Sequence, residues 1–233
     1  MGLMKRMALA GLAVGAGLLL TACEFDVNLG ASEQEAKTYD LSADVTHLVV
    51  EAKVGDVVVN ESDRKGVRVT ETLQWRSSKP VTERPVDDKK LTLRYTCERA
   101  IVSDCGVHYK VEVPRGLNIR VDNGVGTVTL RNLSGEFTVV SGTGDIEGAG
   151  ITSKRADAES GTGRVDLAFA GAPDEVTIKT GVGDASLRVP DSGYNVEGDS
   201  GLGEVTVQIK DDPASPRRLE VTAGTGEVEV LKS

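Results

Sequence analysis

This 233-residue sequence predicts an all-β chain wound as a β-solenoid, a parallel β-helix-like stack of two-strand coils of roughly twenty residues each. Three observations predict it. A Gly-x-Gly unit recurs with its first glycine at 124, 142, 161, 181, 201 and 224. The residues on either side of each unit alternate apolar and polar with period two, the signature of half-buried strands. Aromatic residues are scarce (one Trp, four Tyr and three Phe), so Val, Leu, Ile and Ala must fill the core. Small aliphatic side chains suit a narrow interior of stacked rungs about 4.8 Å apart.

The strand before each turn keeps one apolar phase: Ile119 and Val121, Phe137 and Val139, Ala156 and Ala158, Val176 and Ile178, Val196 and Gly198, Leu219 and Val221. The strand after it does the same, with Val128 and Leu130, Ile146 and Gly148, Val165 and Leu167, Ala185 and Leu187, Val205 and Val207, Val228 and Val230. The turns themselves are Gly124 with Gly126, Gly142 with Gly144, Gly161 with Gly163, Gly181 with Gly183, Gly201 with Gly203, and Gly224 with Gly226. Glycine takes positive φ without steric cost. A degenerate seventh copy stands upstream, where Val54-Gly55-Asp56 precedes Val57 and Val59. Asn123, Ser141, Ser160, Thr180 and Ser200 precede their turns and can hydrogen-bond to nearby backbone. Two strands cannot bury a face alone, whereas stacked copies share one core. The competing architecture is an antiparallel β-sandwich, in which the glycine turns are hairpin loops.

The repeats occupy residues 116–233, and an irregular part, residues 41–115, is expected to cap them, since terminal repeats are atypical. Together they form one β-repeat domain, 41–233. Within the cap, Val67-Arg68-Val69-Thr70, Leu91 to Tyr95 and Tyr109 to Val113 read as strands. The charged stretch from Arg76 to Lys90, with Pro80 and Pro85, reads as a loop, as does Asp211 to Arg218 in the longest spacing.

Residues 1–22 read as a signal peptide: Lys5 and Arg6, an apolar run from Met7 to Leu20, then small residues. The run is shorter than the roughly 20 residues of a spanning helix. Leu20-Thr21-Ala22-Cys23 resembles the lipobox of bacterial lipoproteins. That resemblance implies a signal cut before Cys23, acylation of its sulfur, and a protein anchored through lipid on the extracytoplasmic face of the cell membrane. Residues 23–40 then read as the lipidated cysteine and a flexible tether. Removing Lys5 and Arg6 takes the net charge from −9 to −11, which disfavours nucleic acid as a partner.

The repeated Ser/Thr-Gly-x-Gly-Asp/Glu-Val-x-Val units behind a lipobox resemble the bacterial putative-adhesin family with β-strand repeats, a domain of unknown function. The resemblance covers about residues 45–231. It implies a cell-envelope protein and carries no catalytic residues. The expected function is therefore a surface binding, adhesin-like or structural module and not an enzyme, with envelope polysaccharide or protein as the partner.

Cys97 and Cys105 are expected to pair as a disulfide outside the cytoplasm. A metal site of Cys97, Cys105 and His108 is the alternative, without a clear fourth ligand. The residue after each second glycine (Asp56, Thr127, Asp145, Arg164, Asp184, Glu204, Glu227) would form a ladder ending in three acids. Like charges at that spacing repel by about 1 kcal/mol in water. Ca²⁺ at Asp184, Glu204 and Glu227 would relieve the repulsion, as would solvation of a simple acidic edge. Neither Gly-Lys-Ser/Thr nor a third glycine opening a helix is present, so these loops are not nucleotide sites. His47 and His108 have no nucleophile motif beside them. Trp75 is expected to pack over the first coil. The rival function is a carbohydrate-active enzyme, polysaccharide lyase-like, on the same scaffold. It would show as acids clustered with a basic partner in a flank cleft.

Overall fold

The computed structural model describes residues 32–41, 44–98 and 105–233, of which Ser32–Ser233 belong to one compact unit. The signal peptide and Cys23 lie outside the described residues. Strands β1 (Glu33–Leu41), β2 (His47–Val54), β3 (Val57–Glu61), β4 (Val67–Trp75), β5 (Val81–Glu83), β6 (Val86–Asp87), β7 (Lys90–Thr96) and β8 (Cys105–Val113) make the irregular part. The repeats follow as β9 (Asn118–Val125), β10 (Val128–Arg131), β11 (Phe137–Thr143), β12 (Ile146–Ile151), β13 (Arg155–Thr162) and β14 (Val165–Phe169). The last are β15 (Glu175–Val182), β16 (Ala185–Val189), β17 (Asn195–Leu202), β18 (Val205–Val207), β19 (Arg218–Thr225) and β20 (Val228–Lys232).

These strands build two ten-stranded sheets. The first has the order β1-β4-β8-β3-β10-β12-β14-β16-β20-β18, the second β17-β19-β15-β13-β11-β9-β2-β7-β5, with β6 also on β7. Both are mixed. β1, β4 and β8 pair antiparallel in the first, β5 and β6 pair antiparallel with β7 in the second, and the repeats pair in parallel. The expected β-solenoid is therefore corrected: the molecule is a two-sheet sandwich with mixed sheets, and the sandwich alternative fits better. Its glycine turns nevertheless are not hairpins, because each carries the chain from the second sheet across to the first, as from β9 to β10. The solenoid expectation extended the local repeat to the whole chain. The long strands β4 and β8 turn back on each other instead, and the last repeat inserts β19 between β15 and β17.

The tether reading is corrected in part as well. From Glu33 the chain is a strand, paired along its whole length with β4, though most of its side chains remain exposed. Polar contacts hold it. Arg64 and Arg68 donate to the Asp40 carboxylate, Lys79 pairs with Glu35, and the Arg84 guanidinium lies 4.3 Å from the Tyr39 ring centroid. These cations hold the Asp40 and Glu35 carboxyls below their usual range.

The core lies between the sheets and is almost wholly aliphatic through the repeats, with Val121, Val139, Leu167, Ile178, Leu187 and Val221 shut from solvent. Three of the four tyrosines lie in the cap, and the fourth, Tyr194, is buried before β17. Tyr39 donates to buried Glu71 at 2.5 Å, and Tyr95 both accepts from the Val54 amide (2.7 Å) and donates to its carbonyl. The Tyr109 hydroxyl and the second Glu71 oxygen are buried without a hydrogen-bond partner among the described residues. Burial raises the pKa of Tyr39, Tyr95 and Tyr109, and the Glu71 charge adds to it for Tyr39 and Tyr109.

A tyrosine whose pKa is raised on folding contributes stability that is complete below its unfolded value, about 10, and lost as pH climbs above it. The urea midpoint is therefore expected to hold level from about pH 8 to pH 10 and then fall steeply. Tyr109→Phe, which removes an unpaired buried hydroxyl, is expected to shallow that fall. An unchanged pH profile in the variant would contradict this reading.

Candidate functional site

The turn edge is where most of the predicted residues meet. Gly55, Gly126, Gly144, Gly163, Gly183, Gly226 and Gly203 lie one above another along neighbouring strands. Gly163 shows why no side chain fits there: its φ is +144°, and a Cβ would stand 2.2 Å from the Gly144 carbonyl oxygen. Main-chain bonds cross between rungs along this column, from Gly144 N–H to the Thr162 carbonyl (2.8 Å) and from Gly163 N–H to that of Val182 (2.9 Å). The hydroxyls before the turns work between rungs rather than within one. Ser160 donates to the Gly144 carbonyl, Thr180 to that of Gly163 and Ser200 to that of Gly226, whereas Asn123 donates within its own turn and Ser141 Oγ has no partner among the described residues.

The acidic ladder is built the same way. Asp56 accepts from the Thr127 amide, Asp145 from that of Arg164 and Asp184 from that of Glu227, at 2.8–2.9 Å. The spatial order of the three terminal acids is Asp184, Glu227, Glu204, because β20 lies between β16 and β18. Among the described residues no three His, Cys, Asp or Glu side chains converge on a point where a metal ion could sit. Asp184 clips one rung to the next instead.

Cys97 and Cys105 form a disulfide, Cα to Cα 6.3 Å, which joins the end of β7 to the start of β8 and so ties the second sheet to the first. It consumes both thiols of the alternative metal site. Nearby, His108 Nδ1 accepts from the Asp56 amide at 3.0 Å and lies 3.2 Å from its carboxylate. Trp75 is half-buried and pairs with Cys105, with Lys79 Nζ 5.1 Å from its ring centroid. A hollow of about 350 Å³ opens here between Asp56, Trp75, Arg76, Cys105 and His108.

Two further depressions lie on the outer sheet faces. On the first sheet, a trough of about 290 Å³ runs over Ala149 and Ala168 between Arg131 and Arg188, at the β-bulge where Gly150 has φ +69°. Its acids Glu147 and Asp166 are adjacent on neighbouring strands, and Asp166 is held by Arg188 at 2.7 Å. On the second sheet the groove is larger, about 470 Å³, and is lined by His47, Lys90, Arg120, Thr138, Asp157 and Thr177 among others. Asp157 stands in register between Thr138 and Thr177 and forms no ion pair among the described residues. Although Asp157 is exposed, desolvation by its neighbours, then the Glu159 charge, raises its pKa. Beside it runs a ladder of alternating charge, Glu136, Arg155, Glu175 and Arg218, with contacts of 3.7 and 3.6 Å on either side of Arg155. Such exposed pairs contribute at most about 1 kcal/mol each.

Sequence reasoning placed the turns and the disulfide but missed Asp157 and Glu71. Glu71 carried a signal, since it occupies the apolar phase of β4 between Val69 and Leu73.

No family model matches the chain, and no curated protein matches it. The fold is similar to that of a "putative cell adhesion protein" from Clostridium sporogenes, with a TM-score of 0.54 at 19% identity over 87% of this chain and 100% of that one. A "putative adhesin" and a "putative lipid binding protein", both from Parabacteroides distasonis, match with TM-scores of 0.38 and 0.34. Their identities are 13% and 12%, over 86% of this chain and 98% and 96% of theirs. The first likeness shows a shared fold; the other two are too distant to carry an argument.

Asp184→Ala is expected to lower stability by about 1 kcal/mol, the worth of one hydrogen bond, with the same loss in EDTA and in millimolar Ca²⁺. A loss seen only in Ca²⁺ would make the acids ligands rather than clips.

Proposed function

We propose that the protein is a lipid-anchored module of the extracytoplasmic face that binds envelope polysaccharide or protein without transforming it. The observation that carries this reading is the outer face of the second sheet. Parallel pairing presents Arg120, Thr138, Asp157 and Thr177 side by side at the strand spacing of about 4.8 Å, on an open, solvated surface. Such a face offers an extended ligand repeated hydrogen-bond donors and acceptors rather than an enclosed reaction chamber. The acids nearest to a catalytic pair, Glu147 and Asp166, lie in an open trough where Asp166 is neutralised by Arg188. That arrangement favours recognition over the lyase-like chemistry. The adhesin-type neighbour supports the same reading through its fold, and the lipobox-like run ending at Cys23 supports the anchor. A lipoprotein cysteine with two or more acyl chains holds firmly, since each buried methylene contributes about 0.8 kcal/mol.

Soluble protein beginning at residue 24, tested against envelope polysaccharides and surface proteins, is expected to bind saturably and to leave glycans uncleaved. Asp157→Ala is expected to weaken that binding by about tenfold or more, the loss of about 1.4 kcal/mol, without moving the melting temperature. Cys23→Ser in the full chain is expected to move the protein from the membrane to the soluble fraction. Glycan cleavage would overturn the binding reading, and unaltered membrane retention of the Cys23→Ser chain would overturn the anchor.

A further inference from the structure

The two ends of the sandwich are unlike, and each lacks a neighbour among the described residues. At one end the stack stops at β17 and β18. Val205 and Val207 occupy the inward phase that is fully buried in the adjoining strand as Val228 and Val230, yet they are 40% and 42% exposed because no rung lies beyond them. Leu202, in the terminal turn, is 72% exposed. At the opposite end Val81 of β5 and Val86 of β6 are 55% and 45% exposed. These five are the exposed large apolar side chains at the two ends; the remaining two among the described residues, Val125 and Val182, stand along the turn edge. Among the described residues each end also presents strand edges with unpaired backbone groups, β17 and β18 at one, β5 and β1 at the other. Unpaired edges invite strand addition.

Charge selects between the ways two such ends can meet. The segment 191–212, which holds β17 and β18, carries six acids and only Lys210, a net charge of −5. The loop 76–90, which holds β5 and β6, carries five bases and three acids, net +2. Asp199 and Glu204 at the first end, and Arg76 and Lys90 at the second, make no ion pair among the described residues. β1 carries three acids and one lysine, so the complementarity resides in the second sheet. Two acidic ends facing each other would repel, whereas the acidic end of one copy facing the basic loop of another attracts.

We propose that the protein associates head to tail with further copies of itself, β17 and β18 of one molecule meeting β5 and β1 of the next. Stacked in the same orientation, the copies continue both sheets and cover Val205, Val207 and Leu202 with the surface around Val81 and Val86. A heterologous contact of this kind leaves one free end on each side and so grows as an open chain rather than closing as a dimer.

Sedimentation velocity of the oxidised unit Ser32–Ser233 tests this from micromolar to millimolar concentration. The wild type is expected to sediment faster as concentration rises. Val205→Lys with Val207→Lys, which blocks one end, and Val81→Glu with Val86→Glu, which blocks the other, are each expected to stay monomeric alone. Mixed in equal amounts they are expected to form a one-to-one dimer through the single intact contact. Should a double variant fail to fold by circular dichroism, Leu202→Lys and Val86→Glu, at sites the core does not hold, replace it. A wild type that stays monomeric throughout overturns the proposal. So does self-association of the chain blocked at Val81 and Val86, which would join the acidic ends instead.

Discussion

Everything in the repeat region depends on how closely the backbone packs at the turn edge. Each second glycine sits against the carbonyl of the glycine in the next rung, at a distance that admits no Cβ. That approach sets the strand register in both sheets at once, because every turn joins one strand of the second sheet to one of the first. The surrounding polar groups follow from it. Ser160 and Thr180 satisfy carbonyls in the adjoining rung, and Asp145 and Asp184 satisfy amides there. Along this edge the carboxylates of Asp56, Asp145 and Asp184 each fasten one rung to the next.

A turn column of this kind fixes a narrow interior, and the composition answers to it. Through the repeats the gap between the sheets is filled mostly by Val, Leu, Ile and Ala, with Phe137 and Phe169 near the ends of their strands and Tyr194 before β17. Bulk is concentrated in the cap, where Tyr39, Tyr95 and Tyr109 share the core with Glu71. A buried carboxylate with one oxygen unpaired among the described residues costs stability, and Glu71 carries it on β4 directly beside β1. The disulfide compensates there by binding the two sheets together.

The glycine turns, the strand phases and the cysteine pair were legible because each is local: a spacing, an alternation, two thiols eight residues apart. Strand order was not. The repeats ending at Leu202 and at Thr225 carry the same pattern, so nothing in the pattern says which lies innermost. The residues that face the core distinguish them, Leu219 and Val221 in β19 against Val196 and Gly198 in β17, and the better apolar set takes the inner position. Glu35 and Tyr39 fall in a polar stretch whose strand character comes from pairing with β4 rather than from its own alternation. Asp157 is one of many acids in the sequence; only the register that places it between two threonines distinguishes it.

Two solvated sheet faces are held in register by the turn column, and the disulfide ties the two sheets together in the cap. All of it rests on the glycine column. The most direct measurement is the urea denaturation of Gly163→Ala beside Gly171→Ala, where an added Cβ would make only ordinary contacts at 3.5 Å. The account predicts a loss of more than about 2 kcal/mol at residue 163 and less than about 0.5 kcal/mol at residue 171. Equal stability of the two variants would contradict it.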